Sequence, residues 1–506
     1  MSSSRRRAKG RRAAHSGSSV SRIASLLREL KKRRYGSASE YYAKVSAAAD
    51  ALGNAATALS ALEASQRSSH PGSMLPKHRT LWVTPTGDPA QDFPKIQSAI
   101  DHASPGDRIL LKSGVFRSAG VVWVWKDISL TGEPGTVIEG TTHLGGKVIA
   151  DPSMNGGFVI VGDAEAEVQN VHFRHLFFAV ASHGGARRLV FEDNVCEDVY
   201  HSVYLSAGIG AGTELLARCN RVEISSLNPL SSRCRFNFYD EGHLFGFYCS
   251  GGVRAIIEGN HLEVKELTGA QPFHVVGVFC SGGRAVIRDN FFKGWHAPVT
   301  VHDSVSPIIH RNQVHGMCED PEYKPIGIFL RNCDAPVVCS NCIASRGLGL
   351  GAIGITASGS KRGSIMDNRI SLGQGAGSGI LVFRSNGMLV GQNSIAGMLD
   401  CPIGLFGDQS EEVRENLVFS NSIEGDADVK LAYASDNTIL GQKGAMGSDS
   451  GNAFMGYSVE ISGEIPSRLD KEEVSRHQRI FDHIGRKAWP PVPDKYLPKG
   501  DHDEKK

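Results

Sequence analysis

The 506-residue chain has no apolar run near the ~18 residues that a membrane-spanning helix needs, so it is not expected to be transmembrane. No signal peptide is expected either, because no apolar stretch follows the basic start. A secreted disulfide framework is missing as well. The ten cysteines are scattered between Cys196 and Cys401 of a long chain, unlike the dense pattern of a small stapled domain. Several close apolar strands, as in GFYCS (Cys249) and GVFCS (Cys280), and read as small buried hydrophobes. Cys339 and Cys342 form a single C-x-x-C with Cys333 nearby. Neither a second pair nor two histidines follow at zinc spacing. Buried structural thiols are the favoured reading there, with metal or redox chemistry left open, and no cofactor is expected. These absences favour a reducing compartment, with organelle import or a virion as alternatives.

Acidic residues are nearly absent from the start. Residues 1–34 hold twelve Lys or Arg against one acid, Glu29, a net +11, which leaves the rest of the chain at −9. The first 18 residues are low in complexity and expected to be disordered. Val20, Ile23, Leu27 and Leu30 then share one helical face opposite a basic one. Such an arm (1–36) suits an anionic partner, nucleic acid or an anionic surface; packing on a partner subunit is the other reading. In residues 37–78, Tyr41, Val45, Ala48, Leu52, Ala55, Leu59 and Leu62 follow a heptad pattern, weakened by Gly53-Asn54. A short coiled coil and a homo-oligomer are the expectation, followed by a linker at 69–78.

From about 79 to 445 the sequence repeats. AIIEGNHLEV (255–264), AVIRDNFFKG (285–294), PIIHRNQVHG (307–316), GSIMDNRISL (363–372) and MLVGQNSIAG (388–397) each join two apolar strands through an asparagine. The matching residues are Asn260, Asn290, Asn312, Asn368 and Asn393; Asn194, Asn220, Asn341 and Asn421 fit more loosely. Spacings of 22 to 40 residues suit one solenoid coil with variable loops. The asparagine is expected to adopt the left-handed conformation of a tight bend and to stack on its equivalents in a hydrogen-bonded ladder. A third strand precedes each bend region, as in HSVYLS, VVGVFCS, PVTVHDS and IGIFLRN. Residues 446–506 are expected to hold a capping helix (466–489) and a charged tail.

The stretch TGDPAQDFPKIQSAIDHASPGDRI and the following KDISLTGEPGTVIEG resemble the opening of the pectin-lyase-like superfamily. That resemblance implies an all-β fold, a right-handed parallel β-helix, with the helix from Pro94 to Ala103 capping its open end. It also implies a working surface over the third-strand series. Counting back from each bend asparagine stacks His302 over Arg331, with Asp303 and Asn332 beside them. His302, Asp303 and Arg331 are therefore the candidate catalytic residues: a base beside an arginine suits proton abstraction next to a uronate carboxylate. Tyr239, Asp240, Glu241 and His243, then Trp295, His296, Tyr323 and Arg384, are candidate substrate contacts, since rings beside carboxylates suit sugar recognition. Paired acids could instead hydrolyse a glycosidic bond.

The motifs of the catalytic families do not follow. The N-T-D, D-D, G-H-G and R-I-K series of polygalacturonases is absent, as are the R-x-P-x-x-R of pectate lyases, the signatures of pectin methylesterases and the D-P-H of mannuronan epimerases. The leading expectation is thus a polysaccharide-binding or attachment scaffold, oligomeric and anchored by its basic arm. The alternative is a lyase, hydrolase or epimerase on an acidic polysaccharide.

Overall fold

The computed structural model describes residues 79–440 apart from several connections, the longest being 149–154, 226–242, 266–273 and 318–323, and three further strands between 446 and 462. The basic arm, the heptad segment and the 466–489 segment lie outside the described residues.

The first strand, Thr80–Val83, leads into helix α1, Pro89–His102. The helix starts earlier than Pro94 because Asp88 caps it: its carboxylate accepts from the Ala90 N–H at 2.9 Å, with Pro89 at the first position. α1 buries Phe93, Ile96 and Ile100 against the first coil. The buried Asp92 carboxylate ties it down, accepting from Thr86 N–H (2.6 Å), Thr86 Oγ1 (2.7 Å) and Arg117 N–H (3.0 Å).

Three parallel sheets of 16, 12 and 13 strands follow, each coil contributing one strand to each. Successive coils pair in register, as Ala255↔Ala285, Leu262↔Phe292 and Val278↔Val299 in the first, second and third sheets. Strand alternation sends one set of side chains into a continuous core. Ile257, Ile287, Ile309, Val338, Ile365 and Val390 form one such internal stack.

All nine predicted asparagines, from Asn194 to Asn421, stand in one buried ladder between the first and second sheets. From Asn220 on, Oδ1 accepts from the backbone N–H and Nδ2 of the previous asparagine, while that of Asn194 accepts from the Val171 N–H; Nδ2 donates to a backbone carbonyl of a neighbouring coil. One detail differs from expectation. The left-handed residue is the one before the asparagine: Asp193 (φ 54), Asp289 (φ 56), Arg311 (φ 53), Asp367 (φ 55) and Gln392 (φ 57). That exposed position makes the bend, and the asparagine turns inward to serve backbone groups that water cannot reach.

At the corner from third to first sheet, Ser360 and Ser385 form a shorter ladder, with the N–H of Cys333 and of Ser360 donating to their hydroxyls. At the same corner Asn416 accepts the Met388 N–H, and its own N–H and Nδ2 donate to Asn437 Oδ1 by the amide geometry of the main ladder. In the third sheet, Gly246, Gly277, Pro298, Gly327, Gly354, Gly379 and Pro402 share one level. A Cβ on Gly354 would stand 2.6 Å from the Gly379 carbonyl oxygen, so the close approach excludes larger side chains. Coil structure continues past 445: Asn452–Met455 pairs with Thr438–Leu440, and Val459–Ser462 with Val429–Ala432.

Candidate functional site

The three corners differ in how they tolerate change. First-to-second turns keep one length, as between Glu258 and His261 or Cys339 and Cys342, because the asparagine ladder fixes them. Third-to-first turns hold five residues at 303–307, 332–336, 359–363 and 384–388, but range from three (251–253) to ten (407–416) elsewhere. Second-to-third connections vary: 225–242, 265–273, 294–296, 316–325, 346–352, 373–376 and 397–398. No ladder spans that corner among the described residues. Insertions there cost little, and loops on a rigid scaffold are where binding groups accumulate. The short 294–296 turn lies between two long connections, 265–273 and 316–325.

Beside these connections the outer face of the third sheet forms a floor three coils deep. Val276, Phe279 and Ser281 stand over Ala297, Thr300 and His302, and these over Phe329 and Arg331. His302 and Arg331 are Cα partners in register, as the count from the asparagines implied. The His302 imidazole sits edge-on between Phe279 (5.2 Å, 76°) and Phe329 (5.5 Å, 89°). It is 3 % exposed, so its ring orientation is fixed by aromatic packing. Asp303 is not on this floor. It is the left-handed residue of the following turn (φ 48), and its carboxylate accepts from Asn332 Nδ2 at 3.1 Å.

The other candidates separate. Trp295 is fully buried in the core and fills space between coils rather than facing a ligand. His296, also buried, uses Nδ1 to accept the Val275 N–H at 3.1 Å. Arg384 occupies the turn level of Asp303 and Asn332, not the strand level of Arg331: Arg331 pairs with Ser358, and Ser358 with Phe383. Its guanidinium is ion-paired to the buried Asp408. The His243 backbone opens a strand. Tyr239, Asp240, Glu241 and Tyr323 lie outside the described residues.

The sequence reading missed an aromatic ribbon on this face. Tyr204 stacks on Tyr248 (4.5 Å, 9°) and Tyr248 on Phe279 (5.1 Å, 14°). The signal was there: HSVYLS, GFYCS and GVFCS place a ring at the same point of consecutive third strands. His201 lies beside it against Phe177 and Phe245, and burial pushes its imidazole down to about 3. From Phe158–Val161 to Gly377–Phe383 no third-sheet strand contains an aspartate or glutamate. Floor and ribbon can therefore stack, hydrogen-bond and present His and Arg, but these strands supply no paired carboxylates.

The cysteines are mostly interior. Burial pushes the thiols of Cys196 and Cys339 up to about 12 and that of Cys333 up to about 11, which keeps them protonated at neutral pH. No group of three or more His, Cys, Asp or Glu among the described residues is placed to hold a metal, and none of their helices is long and apolar enough to cross a membrane.

A family model described as the right-handed beta helix region matches residues 299–453, in agreement with the stacked parallel sheets. No curated protein matches the chain. Among solved structures, it is similar to the alginate lyase AlyF-OU02 (11% identity, TM-score 0.46, 79% of this chain and 92% of that one). It is similar to a double mutant of the periplasmic alginate epimerase AlgG (14%, TM-score 0.36, 70% and 85%). It is also similar to PfbA, a surface adhesin of Streptococcus pneumoniae (10%, TM-score 0.33, 74% and 94%).

Proposed function

We propose that this protein is a polysaccharide-binding β-helix that holds an extended glycan along the corner between its second and third sheets. The observation that carries the reading is the collection of long connections at that corner, 225–242, 265–273 and 316–325, beside the aromatic face of the third sheet. The asparagine ladder holds the first-to-second corner constant, so insertions collect at the second-to-third corner. The half-buried hydroxyls of Ser250 and Ser281, at the edge of the buried aromatic ribbon, offer hydrogen bonding to a sugar chain. The absence of acids from these strands speaks for holding over hydrolysis by paired carboxylates. The basic residues 1–34 supply an attachment to an anionic partner, and the heptad segment a route to homo-oligomers.

A second reading, an enzyme on an acidic polysaccharide, is favoured by the in-register His302 and Arg331. An imidazole one coil from a guanidinium suits proton abstraction beside a uronate carboxylate, with Arg331 neutralising the charge; Asp303 would act only through Asn332. A panel of neutral and uronic-acid polysaccharides separates the two. Binding without turnover is expected, with affinity falling at least ten-fold when residues 228–240 are replaced by a short Gly-Ser link. Turnover abolished in the His302→Ala/Arg331→Ala double variant would establish the enzyme, and no binding to any glycan would refute both.

A further inference from the structure

We propose that His310, Cys339 and Met366 form a site for a soft monovalent metal ion, with copper(I) the best-fitting cation. The three stand on successive coils of the outer face of the first sheet, as Cα partners His310↔Cys339 and Cys339↔Met366. Strand alternation therefore sends all three side chains out on one column, about 4.8 Å apart at the backbone. Nδ1 of His310 already lies 3.1 Å from Sγ of Cys339 and 3.1 Å from its carbonyl oxygen.

The surroundings select the kind of ion. Val286, Ile308 and Val337 pack beside Cys339 on this face, and Cys339 and Met366 are 7 % and 6 % exposed. The column is bounded on one side by Arg288, ion-paired to Glu258, and on the other by Gly391, under the ring of Phe419. The column itself contains no carboxylate between these limits; the nearest, Asp289 and Asp367, lie in the flanking turns and are engaged by Arg311 and Ser340, which disfavours a hard cation. A structural zinc would require a fourth ligand. Imidazole, thiolate and thioether together suit copper(I), which accepts few and soft ligands.

Metal–ligand bonds of about 2.0–2.3 Å at trigonal angles place N and S about 3.7 Å apart, so the pair must open by about half an ångström. Small χ rotations supply that. On binding, the Cys339 thiol gives its proton to solvent, the His310 ring proton moves from Nδ1 to Nε2, and the sulfur and Nδ1 bond the ion. Copper stays copper(I), and no electron moves.

The test titrates the reduced full chain, without oxygen, against the copper(I)–bicinchoninate complex. The wild type is expected to strip one equivalent that His310→Ala, Cys339→Ser and Met366→Leu each bind at least ten-fold more weakly. Cys219→Ser, at an exposed thiol, should retain it. X-ray absorption of the loaded protein should show one nitrogen and two sulfur neighbours. Met366→Leu keeps the packing volume, so it reports even if Cys339→Ser folds poorly. Failure to strip copper, equal stripping by all variants, or a loss confined to Cys339→Ser would each overturn the site.

Discussion

Replacing Asn312 by Ala tests the ladder where it is best defined. Asn312 is fully buried, and its side chain makes four hydrogen bonds. Oδ1 accepts from Asn290 N–H (3.1 Å) and Asn290 Nδ2 (2.9 Å), while Nδ2 donates to the Ile287 carbonyl (2.9 Å) and Asn341 Oδ1 (3.0 Å). Alanine leaves the buried N–H of Asn290 without this acceptor, a loss of about 1–3 kcal/mol, and removes three bonds worth about 1 kcal/mol net each. Asn290 Nδ2 keeps the Ile257 carbonyl at 2.9 Å, so the terms do not simply add, and about 3–5 kcal/mol is expected. For a domain this large, 1 kcal/mol shifts Tm by about 2 °C, which predicts a fall of about 6–10 °C in a circular-dichroism melt. The neighbouring Arg311→Gly is the control. It relieves the left-handed backbone at φ 53 and gives up an exposed ion pair with Asp289, so it should change stability by less than about 1 kcal/mol. A loss below about 1 kcal/mol for Asn312→Ala, or an equal loss for Arg311→Gly, would refute the assignment of the two roles.

Three further outcomes are expected. His201 is held neutral with its folded pKa near 3, below the ~6.5 of an unfolded chain. Its contribution is therefore full above pH 6.5 and is lost at about 1.4 kcal/mol per unit as pH falls toward 3. Urea midpoints at pH 7 and 5 should differ less in His201→Phe than in the wild type, and identical pH dependence would refute this. Gly354→Val drives a side chain against the Gly379 carbonyl and against Ile370 Cγ2, 2.7 Å from the position of its Cβ. It should cost about 2–4 kcal/mol, read as a lowered urea midpoint, and an unchanged midpoint would count against the close-packed level. Deleting residues 1–68 should lower the oligomeric mass by light scattering and remove salt-sensitive binding to anionic vesicles or nucleic acid; a wild-type chain already monomeric would rule out the oligomer.

The repeat was legible in the sequence because a ladder needs the same side chain at the same point of every coil. That periodicity gave the nine asparagines, the third-strand series and the stacking of His302 on Arg331. It did not reveal which bend residue takes the left-handed conformation, because the asparagine and its exposed predecessor recur together. Arg384 shows how narrow the margin is. It lies nine residues before its asparagine and Arg331 ten, and that single step moves it from strand to turn. Trp295 reads as a surface ring in sequence and proves to be core.

The sequence alone determined that the chain coils, where each coil bends and which residues stack, since these follow from local periodicity and short-range hydrogen bonding. Tertiary structure decided which face each residue meets. It set the aromatic ribbon together, put Asp303 in a turn and brought His310 to 3.1 Å from Cys339. Those outcomes depend on register between coils more than twenty residues apart, which the packing of the shared core sets.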